Sequence, residues 1–466
     1  MILKEDERRL KSVFSRSILV LLISFLILSF AIPAQAFNLS NWYCCLKHPL
    51  GFELEYVNGY VVAQQIRVEG AHIAVVGDDI GLVKDQVSWL SKLDIAYDSM
   101  VELTAGEPVV QAASDKKITI LEDPSVHGAA YAGNPIRIDP AFFRSQIEGS
   151  WNAYGDPSFA FIHEMGHDFH WDFPGFHFNE GGGATNEAFA NFILIYAYEK
   201  LNPENIVLDR VYDGVADLET NFYLTRANTY LSGERSFEKI KWNNDAFTGL
   251  LILLKNKYGW GIFQKAFAMH RNLLGTSQIS YQSLDQFTDI KKVNLFVFML
   301  SEAAGEDLSP QFEEWGFRIV PTSTILTTSL NPSSIAANTY SNLTITGRLS
   351  RVDTGLGLEG RIVSFSCFNG TIGSTVTDEN GSYTFKWTNV SLANGSYTVT
   401  ASFTGDSLHE PSSKAQTVSV IEKPPPPSLP TVPGFPPEAV LIGITLAVGA
   451  IVFMRKKTRL PELWSV

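Results

Sequence analysis

The chain has 466 residues, enough for two or three domains and for a sizeable buried core. Its 49 acidic and 36 basic side chains give a net charge of −13, which argues against the basic, phosphate-tracking surface of a nucleic-acid-binding protein. The three cysteines, Cys44, Cys45 and Cys367, lack C-x-x-C spacing, so they predict neither a disulfide framework nor a cysteine zinc site.

Residues 1–36 have the pattern of a secretory signal peptide. Basic residues precede an apolar run from Ile18 to Ile32, and the small-residue sequence Ala34-Gln35-Ala36 follows, with cleavage expected after its last residue. An uncleaved signal anchor is the alternative, because the acidic residues 5–7 dilute the basic region. Both interpretations predict export of the chain.

Residues 37–150 predict an α+β lobe, and residues 151–319 predict a helical lobe. In the first, β-rich runs at residues 60–63 and 118–121 flank a helical stretch around residues 83–103. In the second, apolar residues recur at three- and four-residue spacing. Asp156-Pro157 is expected to open its first helix, with the aspartate as the cap and the proline at the first helical position.

Residues 320–422 predict an immunoglobulin-like β-sandwich. Alternating strands are separated by turn sequences such as Asp378-Glu379-Asn380-Gly381, and residues 365–368 and Trp387 are expected in the core. Asn-x-Ser/Thr sequons for N-glycosylation fit an exposed, exported module, and they lie at Asn38, Asn342, Asn369, Asn380, Asn389 and Asn394.

The C-terminal region predicts attachment to a membrane. Residues 423–438 form a Pro-rich linker, residues 439–455 a transmembrane anchor, and residues 456–466 a cytoplasmic tail. Because basic residues follow the apolar run, the tail is expected inside the cell and the preceding domains outside.

An H-E-x-x-H motif lies in the first predicted helix of the helical lobe, within Phe161-Ile162-His163-Glu164-Met165-Gly166-His167. Histidines at i and i+4 project from one face about one turn apart, so both imidazoles can reach one zinc ion at ~2.1 Å. Glu164 points beside the metal, where it can take a proton from water. The bare motif also occurs in proteins that are not enzymes, so its context decides the interpretation.

A catalytic zinc ion needs a third protein ligand and an open fourth position. His170 lies two turns, ~10 Å, from His163, which is too far for both to bind one ion. The metzincin pattern needs a histidine where this chain has Phe173, so that class is excluded. Glu180 and Glu187 remain, and Glu187 is favoured because it opens a helix that can pack antiparallel to the first.

Asn191 lies one turn after Glu187 on the same predicted helix face. It could accept a hydrogen bond from a liganding imidazole and fix the tautomer of that ring. Two alternatives stay open: Glu187 could be a first-turn glutamate that the helix dipole favours, and Asn191 could belong to a plain polar face.

Four motifs in the same order resemble the enhancin-like, mucin-degrading metallopeptidases, which are gluzincins. The motifs are His163-Glu164-Met165-Gly166-His167-Asp168-Phe169, Asn186-Glu187-Ala188-Phe189-Ala190-Asn191-Phe192, Tyr198-Glu199-Lys200-Leu201 and Ser301-Glu302-Ala303-Ala304-Gly305-Glu306-Asp307-Leu308-Ser309. The resemblance covers roughly residues 126–317. It implies His163, His167 and Glu187 as zinc ligands, Glu164 as general base, and O-glycosylated proteins as substrates.

A segment upstream of the zinc motif also resembles this family. In Ala130-Tyr131-Ala132-Gly133-Asn134-Pro135-Ile136 the resemblance implies an extended edge that can hold a substrate backbone by strand addition. The chain departs from the family pattern at several of these positions, so no substrate-binding residue is assigned. A buried strand and turn is the alternative.

The predicted fold class is α+β: a mainly helical gluzincin metallopeptidase domain with a β-containing N-terminal lobe, an all-β immunoglobulin-like sandwich and a transmembrane helix. The predicted function is peptide-bond hydrolysis by a Zn²⁺-dependent metalloendopeptidase at the cell surface, acting on protein or glycoprotein substrates. The alternative is a catalytically inactive, surface-anchored protein that binds glycans or proteins. Candidates for stabilising the oxyanion stay unranked, and they are Tyr196, Tyr198, Tyr230 and His270.

Overall fold

The computed structural model describes residues 46–47, 53–57, 60–63, 65–109, 116–128, 130–178, 184–201, 206–276, 279–368, 370–422 and 437–457. The predicted signal peptide at residues 1–36, the pair Cys44 and Cys45, and the Pro-rich linker up to residue 436 lie outside these ranges. The chain divides into two compact units. The first runs to Ile325 and includes Leu349–Leu358 and Phe403–Ser412; the second holds Leu326–Arg348, Glu359–Ser402 and the residues from Ser413 onward.

The β part of the first unit begins with a small antiparallel sheet and continues into a mixed sheet. The strands of the small sheet are β1 Leu46–Lys47, β2 Glu53–Val57 and β3 Tyr60–Ala63. The mixed sheet contains β4 Ile66–Glu69, β5 Ile73–Gly77, β6 Ile118–Glu122, β7 Ala130–Tyr131 and β8 Ile136–Ile138. Strands were thus found at both predicted positions, residues 60–63 and 118–121.

The mixed sheet has the strand order β4-β5-β6-β8-β7. Strands β5, β6 and β8 run parallel to one another, whereas β4 and β7 pair antiparallel at the two ends. β5 and β6 are buried along their whole length, as is typical of parallel strands that are covered on both faces. β7 is therefore the terminal strand of the sheet, next to the helical part.

The helical part of the first unit holds most of its buried apolar side chains. Its helices are α1 Gln86–Thr104, α2 Pro140–Gln146, α3 Asn152–Tyr154, α4 Phe159–His170, α5 Ala184–Lys200, α6 Val215–Leu218, α7 Leu224–Leu231, α8 Phe237–Ile240, α9 Asn244–Tyr258, α10 Gly261–Gly275, α11 Tyr281–Asp285, α12 Asp289–Ala304 and α13 Ser309–Glu314. Shorter elements are 3-10 turns at Asp79–Leu82 and Pro174–Phe176, π turns at Ile147–Trp151 and Glu219–Tyr223, and the antiparallel pair β9 Val207–Leu208 and β10 Tyr212–Asp213.

An aromatic core holds α5 in place. The ring of Phe189 on α5 packs against Phe176, Phe247 and Phe296, with ring centroids 6.3, 5.8 and 5.5 Å apart. These partners come from the Pro174–Phe176 turn, α9 and α12. Edge-to-face aromatic contacts add to the hydrophobic stabilisation of burial. The position of α5 is therefore determined by residues that lie far apart in the sequence.

Helix α4, which carries the H-E-x-x-H motif, begins two residues later than the sequence predicts. Ser158, not Asp156, is its N-cap residue. Asp156 is fully buried and its carboxylate instead accepts hydrogen bonds from the Ser158 amide, the Asp209 amide and the Tyr198 hydroxyl. The capping prediction for Asp156 was wrong because three donors surround this buried carboxylate, and two of them, Tyr198 and Asp209, come from distant parts of the chain.

The second unit is built mainly of β-strands, some of which extend into the segments assigned to the first. The strands are β11 Thr324–Asn331, β12 Ser334–Ala336, β13 Ser341–Arg351, β14 Ile362–Cys367, β15 Gly370–Val376, β16 Ser382–Val390, β17 Gly395–Phe403 and β18 Ser412–Ile421. They form one sheet in the order β11-β13-β16 and another in the order β12-β18-β17-β14-β15. The immunoglobulin-like assignment of this unit stays a prediction.

The core of the second unit contains Phe365 of β14. This ring is fully buried and contacts Tyr383 and Phe385 of β16, with centroids 5.7 and 4.7 Å apart. Phe368, which was also expected in the core, is 65% exposed. It follows β14 with a φ of 54°, so it has left the alternation that directs side chains inward along the strand.

The C-terminal helix α14, Pro437–Lys457, contradicts the predicted fold class in one respect. The uncharged run between Glu438 and Arg455 extends only ~24 Å at ~1.5 Å per residue, against a hydrocarbon core of ~30 Å. Within the described ranges, no helix has both the length and the apolar character needed to cross a membrane. The predicted transmembrane anchor at residues 439–455 was therefore wrong, whereas the α+β character of the fold is found.

Candidate metal centre

Helix α4 carries both histidines of the motif. The Ser158 hydroxyl oxygen caps the helix by accepting a hydrogen bond from the Phe161 amide at 3.1 Å. The buried side chains of Phe161 and Met165, four residues apart, hold one face of the helix in the core. His163 and His167 lie on successive turns of another face, and their ring centroids are 4.7 Å apart.

Helix α5 brings Glu187, in its first turn, to the two histidines. The helices α4 and α5 approach closely at Gly166. A Cβ atom on this residue would lie only 2.8 Å from the Ala190 carbonyl oxygen. The missing side chain at Gly166 therefore allows the separation at which the carboxylate reaches both imidazoles.

The structure brings the three predicted ligand side chains together. His163 Nε2 lies 3.1 Å from His167 Nε2 and 3.1 Å from Glu187 Oε2. His167 Nε2 lies 3.4 Å from the other oxygen, Glu187 Oε1. Within the part of the chain that the structure describes, these are the residues grouped closely enough to hold a metal ion, with ligand atoms no more than 4.8 Å apart.

These separations fit zinc. Three ligand atoms at ~2.1 Å from one tetrahedral ion lie about 3.4 Å from one another, close to the observed spacing. Two imidazole nitrogens and one carboxylate oxygen also form a known ligand set for catalytic zinc, in which a fourth position stays open. The side chain of Glu187 is 44% exposed, so the triad is accessible from solvent.

The charges in the site complement one another. Hydrogen bonds with His163 and His167 lower the pKa of Glu187 far below its ordinary value, so the carboxylate is ionised. Burial lowers the pKa of His167, but the hydrogen bond and the charge of Glu187 outweigh this effect and raise the pKa overall. Burial also raises the pKa of Glu164, although the two histidines oppose this shift. A raised pKa brings a carboxylate closer to the range that suits a general base.

The predicted partner Asn191 is buried on α5, one turn after Glu187. No hydrogen bond from its side chain to either histidine is found among the described residues, and its role stays a prediction. Asn186 was not singled out from the sequence, yet its Oδ1 accepts a hydrogen bond from His170 Nδ1 at 3.1 Å. The Asn186 side chain also makes a small contribution to the raised pKa of His167. The position of Asn186 directly before Glu187 is the sequence feature that could have drawn attention to it.

The four oxyanion candidates make hydrogen bonds to residues outside the triad. The hydroxyl of Tyr198 donates to Asp156, and that of Tyr230 donates to the Trp315 carbonyl. His270 Nε2 accepts a hydrogen bond from the Gly175 amide, and the hydroxyl of Tyr196 accepts one from Gln264. These hydrogen bonds do not rank the four candidates.

Comparison with known proteins identifies the family of the domain that contains this site. Residues 90–316 match the family Peptidase M60, enhancin and enhancin-like. The chain therefore carries an enhancin-like peptidase domain, and the resemblance inferred from its motifs is confirmed. The matched segment contains α4, α5 and all three residues of the triad.

Two curated relatives are similar to part of the chain. The TRPM8 channel-associated factor homolog of Danio rerio is 23% identical over 198 residues, which cover 42% of this chain and 19% of that protein. TRPM8 channel-associated factor 3 of Mus musculus is 26% identical over 180 residues, which cover 38% of this chain and 16% of that protein. The chain thus spans less than a fifth of the length of these relatives.

Proposed function

We propose that the chain is an exported zinc metallopeptidase that hydrolyses peptide bonds of proteins, including glycoproteins. The observation that carries the proposal is the convergence of His163, His167 and Glu187, with ligand atoms within 4.8 Å, beside the half-buried Glu164. Membership of the domain in the enhancin-like peptidase family supports the same chemistry. Export is supported by the signal-peptide pattern of residues 1–36, which lie outside the described residues.

The triad would hold zinc through His163 Nε2, His167 Nε2 and the carboxylate of Glu187. When bound there, zinc supplies a Lewis acid that polarises a peptide carbonyl and acidifies a water molecule. Glu187 contributes the negative charge that offsets that of the ion. The protein substrate would approach from the solvent side, where Glu187 is partly exposed.

Glu164 acts in this proposal as the proton carrier. Its carboxylate takes the proton that the attacking water loses, holds it, and delivers it to the nitrogen of the leaving amine. Burial is the main cause of the raised pKa of Glu164. The Ala132 backbone amide acts on the same carboxylate as a hydrogen-bond donor and favours its ionised state.

The terminal strand β7 supports a mode of substrate binding. It pairs antiparallel with β8 and no further strand is paired with its other side among the described residues. An extended peptide could add there by main-chain hydrogen bonds. Since Ala132 directly follows β7 and contacts Glu164, a peptide on this strand would run beside the general base.

The test is the substitution Glu164→Gln in the purified chain. We expect the variant to retain one zinc ion per chain, because the three ligands are unchanged, and to lose cleavage of a protein substrate by about 10²–10⁴-fold. Zinc is measured by elemental analysis, and cleavage on a glycoprotein and on its deglycosylated form. The exposed Glu107 gives a matched control, since Glu107→Gln should leave zinc content and cleavage unchanged.

Two results would contradict the proposal. Full proteolysis by the Glu164→Gln variant would exclude Glu164 as the proton carrier. A wild-type chain that binds no stoichiometric zinc and cleaves no protein would instead favour the inactive binding protein. Equal cleavage of the glycosylated and deglycosylated substrates would show that the protein does not recognise glycans. The proposed peptidase activity would not be affected by that result.

A further inference from the structure

Two carboxylates on α4 contact neighbouring backbone amides of one short segment. Asp168 Oδ1 accepts a hydrogen bond from the Gly133 amide at 2.7 Å. Glu164, one helical turn earlier, is contacted by the Ala132 amide. The segment that follows β7 is thus attached to the same helix that carries His163 and His167.

Residues 131–135, which we call the β7 end segment, are also attached to the sheet. The side chain of Asn134 accepts a hydrogen bond from the Thr119 amide at 2.9 Å and donates one to the Lys117 carbonyl at 2.9 Å. The β7 end segment is therefore held from α4 on one side and from the start of β6 on the other.

The conformation of the β7 end segment depends on a glycine. Gly133 has a φ of +127°, a region that residues with a side chain rarely adopt. A Cβ atom added there would meet nothing closer than the Pro135 carbonyl oxygen at 3.7 Å. Space is therefore available, and the requirement for glycine at this position is one of backbone conformation.

The hydrogen bond to Gly133 is the side-chain hydrogen bond that the structure gives Asp168 among the described residues. Its side chain is fully buried, and Oδ2 has no hydrogen-bond partner among the described residues. A buried carboxylate with an unpartnered oxygen is unfavourable compared with an apolar side chain of similar size. An apolar side chain at this position could not accept the hydrogen bond that Asp168 accepts from the Gly133 amide.

We infer that Asp168 is a positioning residue: through the Gly133 amide it holds the β7 end segment at a fixed place relative to Glu164 and the triad. The inference rests on the proposed function, because a peptide that adds to β7 is aligned with the metal centre only if this segment is held. Losing the hydrogen bond would weaken substrate binding more than it slows the chemical step.

The test compares Asp168→Ala, which removes the acceptor, with Asp168→Asn, which keeps an acceptor oxygen for the Gly133 amide. Hydrogen–deuterium exchange of the peptide covering residues 130–135 is measured in each full-length chain. We expect exchange about tenfold faster in Asp168→Ala and close to wild type in Asp168→Asn. Gly133→Ala, which strains the turn but retains Asp168, should also accelerate exchange, and it replaces Asp168→Ala if that variant does not fold.

The kinetic part of the test separates KM from kcat on one protein substrate. Asp168→Ala should raise KM about tenfold, with kcat within about threefold of wild type and one zinc ion per chain retained. Asp172→Ala is the matched control. Asp172 is a buried carboxylate that accepts from the Val109 amide and pairs with Arg271, so its loss should leave KM and the exchange of residues 130–135 unchanged.

Unchanged exchange of residues 130–135 in Asp168→Ala would overturn the inference, whether or not the chain is active. So would equal KM values in wild type and Asp168→Ala, loss of zinc in that variant, or an Asp168→Asn variant as impaired as Asp168→Ala. A wild-type chain without zinc and without proteolysis would contradict the proposed function, and hydrogen exchange would still decide whether Asp168 holds the β7 end segment.

Discussion

Glu187 contributes the negative charge of the triad. Its two carboxylate oxygens lie 3.1 Å from His163 Nε2 and 3.4 Å from His167 Nε2, so the charge is shared between both imidazoles. The other candidate for the third ligand, Glu180, lies outside the described residues. The comparison of these two glutamates in solution is therefore the direct test of the ligand assignment.

We expect Glu187→Gln to weaken zinc binding by more than about 100-fold, because even residues that only support a ligand are worth 10–100-fold in affinity. The amide keeps the size of the side chain but removes its charge. Zinc affinity is measured by competition with a chromophoric chelator.

Glu180→Gln is the matched control and should bind zinc as tightly as wild type. If Glu180→Gln lost zinc and Glu187→Gln bound zinc as tightly as wild type, the assignment of Glu187 as third ligand would be wrong.

The packing of α4 against α5 determines whether these side chains can meet. At Gly166 the two backbones are so close that a Cβ atom would lie 2.8 Å from the Ala190 carbonyl oxygen and 3.1 Å from the Ala190 Cα atom. Both neighbours are backbone atoms, which cannot turn aside as a flexible side chain can. An added methyl group must therefore push the helices apart.

We expect Gly166→Ala to lower the free energy of unfolding by about 1–3 kcal/mol, as overpacking in a dense core commonly does. It should also weaken zinc binding, because the displaced α5 carries Glu187. Chemical denaturation and the chelator competition measure the two effects.

Gly275→Ala is the same chemical change at the end of α10, where no atom lies within 4 Å of the added Cβ. It should shift stability by less than about 1 kcal/mol. A Gly166→Ala variant as stable as this control would show that the interface between α4 and α5 can relax.

The first unit is assembled from segments that are far apart in the chain. It includes Leu349–Leu358 and Phe403–Ser412, which lie within the region predicted as a separate sandwich at residues 320–422. Arg351 is 1% exposed, forms a two-point ion pair with Asp353 at 3.0 and 2.8 Å, and lies 4.8 Å from the centre of the Phe298 ring. The ring of His409 contacts the same phenylalanine at 5.1 Å.

We expect Arg351→Ala to lower the free energy of unfolding of the full chain by about 3–5 kcal/mol, because Asp353 would be left as a buried charge without its partner. Arg318→Ala, at an exposed arginine, should change it by less than about 0.5 kcal/mol. Denaturant unfolding followed by tryptophan fluorescence compares the two.

A chain cut after residue 319 provides a second test, since it loses Arg351 and His409 together and exposes Phe298. It should unfold at a lower temperature than the full chain. Equal thermal stability of the cut and full chains would mean that the contacts with Phe298 contribute little to the first unit.

Local patterns were sufficient for the features that depend on neighbouring residues. The spacing of His163 and His167 places both imidazoles on one helix face, and this holds wherever the helix packs. Alternating and apolar runs likewise located the strands at residues 60–63 and 118–121. The sequence did not predict hydrogen bonds between residues that lie far apart in the chain. Asp156 accepts hydrogen bonds from Tyr198 and Asp209. Asp168 on helix α4 accepts one from Gly133, which follows strand β7.

The motif residues and the enhancin-like family could therefore be read from the order of the amino acids, because helix periodicity and motif spacing are local properties. Only the tertiary structure decided how α5 meets α4, which residues hold the segment after β7, and which parts of the C-terminal region join the first unit. Those contacts depend on the packing of side chains that are tens to hundreds of residues apart in the sequence. A local sequence pattern does not determine how close such side chains come in space.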